Sequence, residues 1–499
     1  MEIQQDESKF KRYSEGLSDY ERSLLTGYFK RLEQHILLPS EEKKKILIDF
    51  EKAILYYSEA GLSLDEALSR LDPANLGGFY ARPPILWYPL DDAAKIYPLS
   101  MNRNLMSVFR LSVYMNENII PEILQIALTF TIKRFPFFAT TIKNGFFWHY
   151  IDSTKRRFAV NHETEIPCKP MNVSISGSQS FRIVYYNNRI SVEFFHILTD
   201  GTGGIIFLKT LTAEYLRLFG IKIPYNDGIL NVNSVPIDAE SSNDFSKATP
   251  LEKSAGFIDK SAVQMSGKHA VARPCQVIHF DFNSTELHTA AKQRNASVTA
   301  FVLALMFIAG KAATEETKGS IHIQVPVNMR KFYDSDTIRN FSLYCSIRIP
   351  LCDINDLDGI LPNITKQLSE NTSKELMNSM MNAVVKLVRI LKYVPLFVKR
   401  PVAKLVYGFL GDKVFSNTLS NLGIIKIPEE MRYYVKKMDF VLGTGLTNRA
   451  SCSMVTLGNT ATFSITKMTA DPSFEDKLYS LFKENGLMPD VKGSELYGY

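Results

Sequence analysis

The stretch ISVEFFHILTDGTGGIIF, residues 190–207, decides the fold. Successive side chains of a strand point to opposite faces, so Ile190, Val192, Phe194 and His196 share one face, opposite Ser191, Glu193 and Phe195. The strand ends on His196, a turn follows, and IIFLKTLTAEYLRLFG continues with helical periodicity. His196 therefore points where the apolar residues point. A neutral imidazole in a partly dry cleft, its pKa lowered by burial, suits a general base acting on a hydroxyl or amine near pH 7. A hydrogen-bonded core histidine would present the same pattern, and the residues alone leave both readings open. Asp200 is expected to turn away and anchor the loop, because a carboxylate against the ring would favour the imidazolium. Gly201, Gly203 and Gly204 are expected to let the chain turn sharply and to leave room beside the imidazole.

Working outward, 499 residues predict two or three packed units, and 45% hydrophobic with 22% charged residues is ordinary globular usage. A net charge of +6 on a chain this long gives no nucleic-acid footprint. Cys168, Cys275, Cys345, Cys352 and Cys452 lie far apart and are odd in number, which argues against a disulfide framework and for a cytoplasmic setting. The opening MEIQQDESKFKRYSEG predicts neither a signal peptide nor a lipidation site. No apolar run approaches the roughly 20 residues of a membrane span. AFVLALMFIAG, from Ala300, reads as a buried helix.

Four segments are expected: a helical extension over 1–80, a first subdomain over 81–225, a connection over 226–275 poor in large apolar groups, and a second subdomain over 276–499. In the extension, Ser40 opens one helix behind Pro39, and Ser63 with Glu66 forms a capping-box pattern. ILWYPLDDAAKIYPLS is an aromatic, proline-rich segment that cannot be one continuous helix. SVFRLSVYM and FATTI read as strands around the helix PEILQIALTFTIKRFP, and FRIVYYNNRISVEFFH reads as a hairpin turning at Asn187-Asn188. In the second half Ser284 is the expected N-cap of one helix, SIHIQVPVN is a strand, residues 374–413 are mostly helical, and two strand-rich runs close the chain.

HILTDG with its strand and helix resembles the signature of the chloramphenicol acetyltransferase-like superfamily of acyltransferases, on the branch of the alcohol acetyltransferases and condensation domains. IKRFPFFATTI resembles the helix end and strand before that signature, and VTAFVLALMFIAG, VPVNMRKFY, RNF and TLSNLG follow it in that family's order, so the resemblance covers roughly residues 85–480. Phe195, where many relatives carry a second histidine, is similar to the alcohol acetyltransferases. The resemblance implies an α+β fold of the α/β-sandwich type, with two related subdomains and a tunnel at their interface. His196 would be the base midway along it. Acyl-CoA would be a co-substrate rather than a bound cofactor, and an alcohol or amine the acceptor. A carrier protein is the alternative donor, and a monomer is expected. The resemblance further implies that Asp200 and Gly201 belong to the catalytic signature, that Arg330 pairs with Asp200, and that the TLSNLG strand supplies the oxyanion donor, Ser420, supported by Thr418 and Asn421. On the residues alone Arg330 could equally be a solvated strand end, and Ser420 part of an ordinary turn.

Other chemistry finds no support in the sequence. GTGGII and GTGLTN lack the third glycine of a dinucleotide loop, and no Walker loop, zinc-protease helix, nucleophile elbow or clustered Cys/His set occurs, so no metal is expected.

Overall fold

The strands of the protein are β1 (Trp87–Pro89), β2 (Val108–Met115), β3 (Thr140–Asn144), β4 (His149–Ser153), β5 (Val160–His162), β6 (Phe181–Tyr186), β7 (Arg189–Phe195), β8 (Gln276–Asn283), β9 (Ser320–Asn328), β10 (Ser342–Pro350), β11 (Asn417–Ile425), β12 (Val435–Leu442), β13 (Ala450–Leu457), β14 (Thr460–Lys467) and β15 (Asp490–Gly493). Its helices are α1 (Glu2–Gly16), α2 (Asp19–Gln34), α3 (Ser40–Glu59), α4 (Leu64–Arg70), α5 (Tyr97–Ser100), α6 (Pro121–Thr131), α7 (Gly201–Leu218), α8 (Ser284–Lys292), α9 (Val298–Ala312), α10 (Leu357–Asn371), α11 (Lys374–Ile390), α12 (Leu396–Val406), α13 (Glu429–Arg432) and α14 (Ser473–Glu484). The computed structural model describes residues 2–81, 87–101, 106–154, 156–172, 179–252, 260–406, 412–443, 445 and 448–497.

The strands form a five-stranded sheet, β12-β2-β7-β6-β5, a seven-stranded sheet, β10-β9-β11-β13-β14-β8-β15, and a small sheet, β1-β4-β3. Most neighbours run antiparallel, while β11 runs parallel to both β9 and β13. Strands mixed in this way and covered by helices give an α+β fold in two lobes. The hairpin at Asn187-Asn188 is as the sequence predicts: Asn187 has φ +48° and Tyr186 faces Arg189.

The strand carrying the signature is central, between β2 and β6, and both of its faces are covered. On one face Phe194 packs with Phe109, Phe138, Phe181 and Phe207. Full burial of such a side chain is worth about 1.5–3 kcal/mol. On the other face Glu193 is wholly buried rather than solvated. Its carboxylate accepts from Arg110 Nε at 2.7 Å, from the Cys168 amide at 2.8 Å and from Arg182. Burial pushes the Glu193 pKa up, but Arg110 and Arg182 outweigh it and the pKa is lowered.

The extension packs into the first lobe's core. Along α3, Ile46, Phe50, Ala53, Ile54 and Tyr57 form one buried stripe. The Tyr57 hydroxyl donates to the Leu218 carbonyl at 2.8 Å, and Arg157 grips Asp49 through Nε and Nη2 at 2.5 and 2.7 Å. The reciprocal capping box lies at Ser18 and Glu21. Ser63 does cap α4, but the Glu66 carboxylate pairs forward with Arg70 at 2.6 Å. Ser40 is the first residue of α3 behind Pro39 and makes no side-chain cap, and Asn283, not Ser284, caps α8.

Among the described residues 226–275 there is no strand or α-helix, only two short helical turns. The connection is pinned nevertheless. Arg134 holds Glu240 through two bonds of 2.6 Å, and Phe245 is wholly buried in the second core. The chain later returns to the first sheet, because β12 pairs with β2 from Val435↔Met115 to Leu442↔Phe109. Tyr114 donates to Asp439 at 2.6 Å and Lys437 to Asp281 at 2.5 Å, so this strand stitches the two lobes together.

Candidate active site

His196 lies one residue beyond β7, its amide donating to the Ser107 carbonyl at 2.8 Å. Tyr97, at the start of α5, stacks on the imidazole with centroids 5.0 Å apart, and the Phe109 ring meets it edge-on at 5.2 Å. The residue is half-buried. Nδ1 is buried and makes no hydrogen bond of normal geometry to a described residue, which leaves Nε2 as the open nitrogen. Burial lowers the His196 pKa below its ordinary 6.5; Asp200 and the residue's own main chain oppose it and do not prevail.

Asp200 is turned away from the ring, as the sequence reading expects. It caps α7, Oδ1 accepting from the Thr202 and Gly203 amides at 3.0 and 3.2 Å. Its Oδ2 accepts from Arg330 Nη1 at 2.7 Å and from the Phe341 amide at 2.8 Å. Arg330 therefore meets Asp200 at a single oxygen and not as a bidentate fork. Its Nε and Nη2 hold the Thr337 and Arg339 carbonyls at 2.9 and 2.7 Å. The contact joins the β7–α7 turn of one lobe to the β9–β10 connection of the other. It also accounts for RNF: Phe341 supplies the amide and Arg339 the carbonyl that Arg330 holds.

The glycines act differently from the expectation. Gly201, Gly203 and Gly204 lie inside α7, and none has a positive φ. A Cβ on Gly203 would fall 2.1 Å from the Ile338 carbonyl oxygen and 2.2 Å from Thr199 Oγ1. On Gly201 it would fall 2.5 Å from Leu422 Cδ2. Gly201 and Gly203 admit the other lobe's chain against the helix, and Gly204 lets α7 close onto Leu111, Phe109 and Phe194 of its own lobe.

Thr418, Ser420 and Asn421 all lie on β11, whose Leu422 abuts Gly201. The Thr418 hydroxyl is within 3.2 Å of Gln324 Oε1, and Asn421 donates to Thr299 at 3.0 Å and accepts from the Gly423 amide at 2.8 Å. Ser420 is 7% exposed, and among the described residues no hydrogen bond engages its hydroxyl. No hydrogen bond links any of the three to His196. Tyr97 is the site residue that sequence reasoning misses: the aromatic, proline-rich segment is conspicuous, but nothing in it says which ring faces the histidine.

No protein-family model matches the sequence, nor does any curated protein. The fold does match solved structures. TRI3 trichothecene 15-O-acetyltransferase from Fusarium sporotrichioides superposes with a TM-score of 0.52 at 14% identity, over 80% of this chain and 94% of that one. The F. sporotrichioides TRI101 complexed with coenzyme A and T-2 gives 0.53 at 11%, over 82% and 99%. The first condensation domain of the calcium-dependent antibiotic synthetase gives 0.51 at 12%, over 80% and 94%. The chain has the chloramphenicol acetyltransferase-like fold. Within this acetyltransferase-like fold two lobes meet along α7 and β11, the elements carrying HILTDG and TLSNLG. Among the described residues no helix is long and apolar enough to cross a membrane.

Proposed function

We propose that the protein is an acyl-CoA-dependent O-acyltransferase that moves an acyl group, acetyl by preference, from a coenzyme A thioester to an alcohol. The observation that carries this reading is the imidazole of His196, biased toward its neutral form, with Nε2 open and the Asp200 carboxylate committed elsewhere. With the proton on Nδ1, Nε2 takes the acceptor's hydroxyl proton as the oxygen attacks the thioester carbonyl. The bond formed is C–O. The tetrahedral oxyanion accepts a hydrogen bond from Ser420, whose hydroxyl engages no other described residue, a contact of a kind worth about 2.7–4 kcal/mol. Collapse breaks the C–S bond, and the imidazolium returns its proton to the departing thiolate. No acyl-enzyme forms.

Asp200 and Arg330 act by position. They hold the β7–α7 turn, and with it the imidazole, against the opposite lobe. The fold relatives support the substrate classes: one bears the name of an O-acetyltransferase and another is complexed with coenzyme A. In this reading residues 81–225 and 276–499 are the two subdomains, joined by 226–275 and crossed by β12. Free thiols at all five cysteines fit a cytoplasmic setting.

Thiol release from a panel of acyl-CoAs with mixed alcohols and amines tests the proposal, the products being identified by mass. Ester formation from an alcohol with free acyl-CoA is expected. Turnover only with a carrier-bound thioester and an amine would replace it with a condensation reaction.

A further inference from the structure

A cleft elsewhere on the molecule has neither His196 nor its ring neighbours Tyr97 and Phe109 among its lining residues. It opens between the small sheet and the end of α11, encloses about 810 Å³, and is walled by Trp87, Trp148 and Tyr150 on one side and Val385 and Val388 on the other. Small-molecule sites span roughly 300–1,000 Å³ and combine apolar walls with a few convergent polar groups. Two features show what this one would take.

The first is His149, 2% exposed, which lines the cleft and has no hydrogen-bond partner at either ring nitrogen among the described residues. Burial, with Arg400 and Lys399 adding to it, lowers its pKa to about 4, so the ring is neutral and offers one donor and one acceptor. A buried polar group left unsatisfied costs about 1–3 kcal/mol.

The second is a surplus of positive charge. Asp92 is answered by Lys95 at 2.7 Å, whereas Arg389 and Lys392 line the same cleft with no carboxylate partner among the described residues. Lys399 is 3% exposed; its Nζ sits 3.2 Å from the Trp148 ring centroid and donates to the Phe147 carbonyl at 2.7 Å. It lies behind the Trp148 wall, outside the lining, and adds positive charge there without facing the ligand space. Aromatic walls, an unanswered imidazole and unanswered cations converge on one ligand class.

We propose that this cleft binds a planar aromatic anion, its ring packed among the aromatic side chains and its carboxylate or phosphate met by Arg389 and Lys392, with His149 supplying a hydrogen bond. The lining does not include His196, and only the coenzyme arm of the proposal rests on the acyl-transfer reading. Such a ligand could be a free aryl acid or the nucleotide end of coenzyme A, which share this chemistry.

The chain's two tryptophans both line the cleft, so tryptophan emission reports its occupancy. Titrating the full-length protein with 2-naphthoate, 1-naphthyl phosphate and uncharged 2-methoxynaphthalene, by calorimetry and emission, tests the site. At least one anion should bind about tenfold more tightly than the neutral ring and change the emission. His149→Phe should weaken that binding by about tenfold, as should the surface pair Arg389→Gln with Lys392→Gln, which is safe for folding; His196→Ala should leave it unchanged. Adenosine 3′,5′-bisphosphate that displaces the naphthyl anion marks the coenzyme as the source, and failure to displace it marks a free aryl acid. Equal affinity for the neutral compound, no emission change up to about 1 mM, or binding indifferent to both sets of substitutions would overturn the proposal.

Discussion

His196 is the residue on which the chemistry turns, and its environment sets a sign for the pH dependence. The active form of a base is the unprotonated one, and burial lowers this ring's pKa below 6.5. kcat/KM should therefore rise with pH through an apparent pKa below 6.5 and stay level above it, in a profile measured with free acyl-CoA. Arg330 makes a second prediction. Arg330→Met leaves the Asp200 carboxylate, 6% exposed at its side chain, without its cation. A broken buried pair of this kind costs about 3–5 kcal/mol, read as a lower urea midpoint. His196, Asp200 and Arg330 were legible in the sequence because strand alternation and motif order place them. Tyr97 was not, since stacking across two chain segments distant in sequence leaves no local pattern.

At the scale of elements, α7 and its neighbours are joined by contact distances too short for a side chain. Gly203→Ala would drive a methyl into the Ile338 carbonyl, so the helix or the opposing chain must shift. Overpacking of this kind costs about 1–3 kcal/mol, and the close backbone contact puts Gly203→Ala at or above the upper end; thermal unfolding checks it. Periodicity revealed most elements, including the hairpin at Asn187-Asn188 and the buried α9. It is silent on two-sided burial: alternation puts Glu193 on the face opposite His196 and cannot show that both faces of β7 are covered. Capping was legible only in part, because Asn283 and Ser284 are both good caps and which one leads depends on where β8 ends.

At the scale of the whole molecule, the lobes are held by the Arg330–Asp200 contact, by β12 and by buried ion pairs. The order of strands in the sheets could not be read from the sequence, since pairing of β12 with β2 joins residues far apart in the chain. Within the first sheet, the pairs of Glu193 with Arg110 and Arg182 carry a pH signature. The folded pKa of Glu193 lies below the ordinary 4.5, so its stabilising effect is complete above 4.5 and is lost as pH falls through the folded value. The difference in urea midpoint between wild type and Glu193→Gln should shrink as pH drops below 4.5. The central claim, that this two-lobed molecule transfers acyl groups by means of one neutral imidazole, is tested most directly by His196→Ala, with thiol release measured at saturating acyl-CoA and alcohol. Loss of about 10²–10⁴ in rate, with the circular dichroism spectrum and melting temperature kept, is the predicted result; turnover equal to wild type would contradict it.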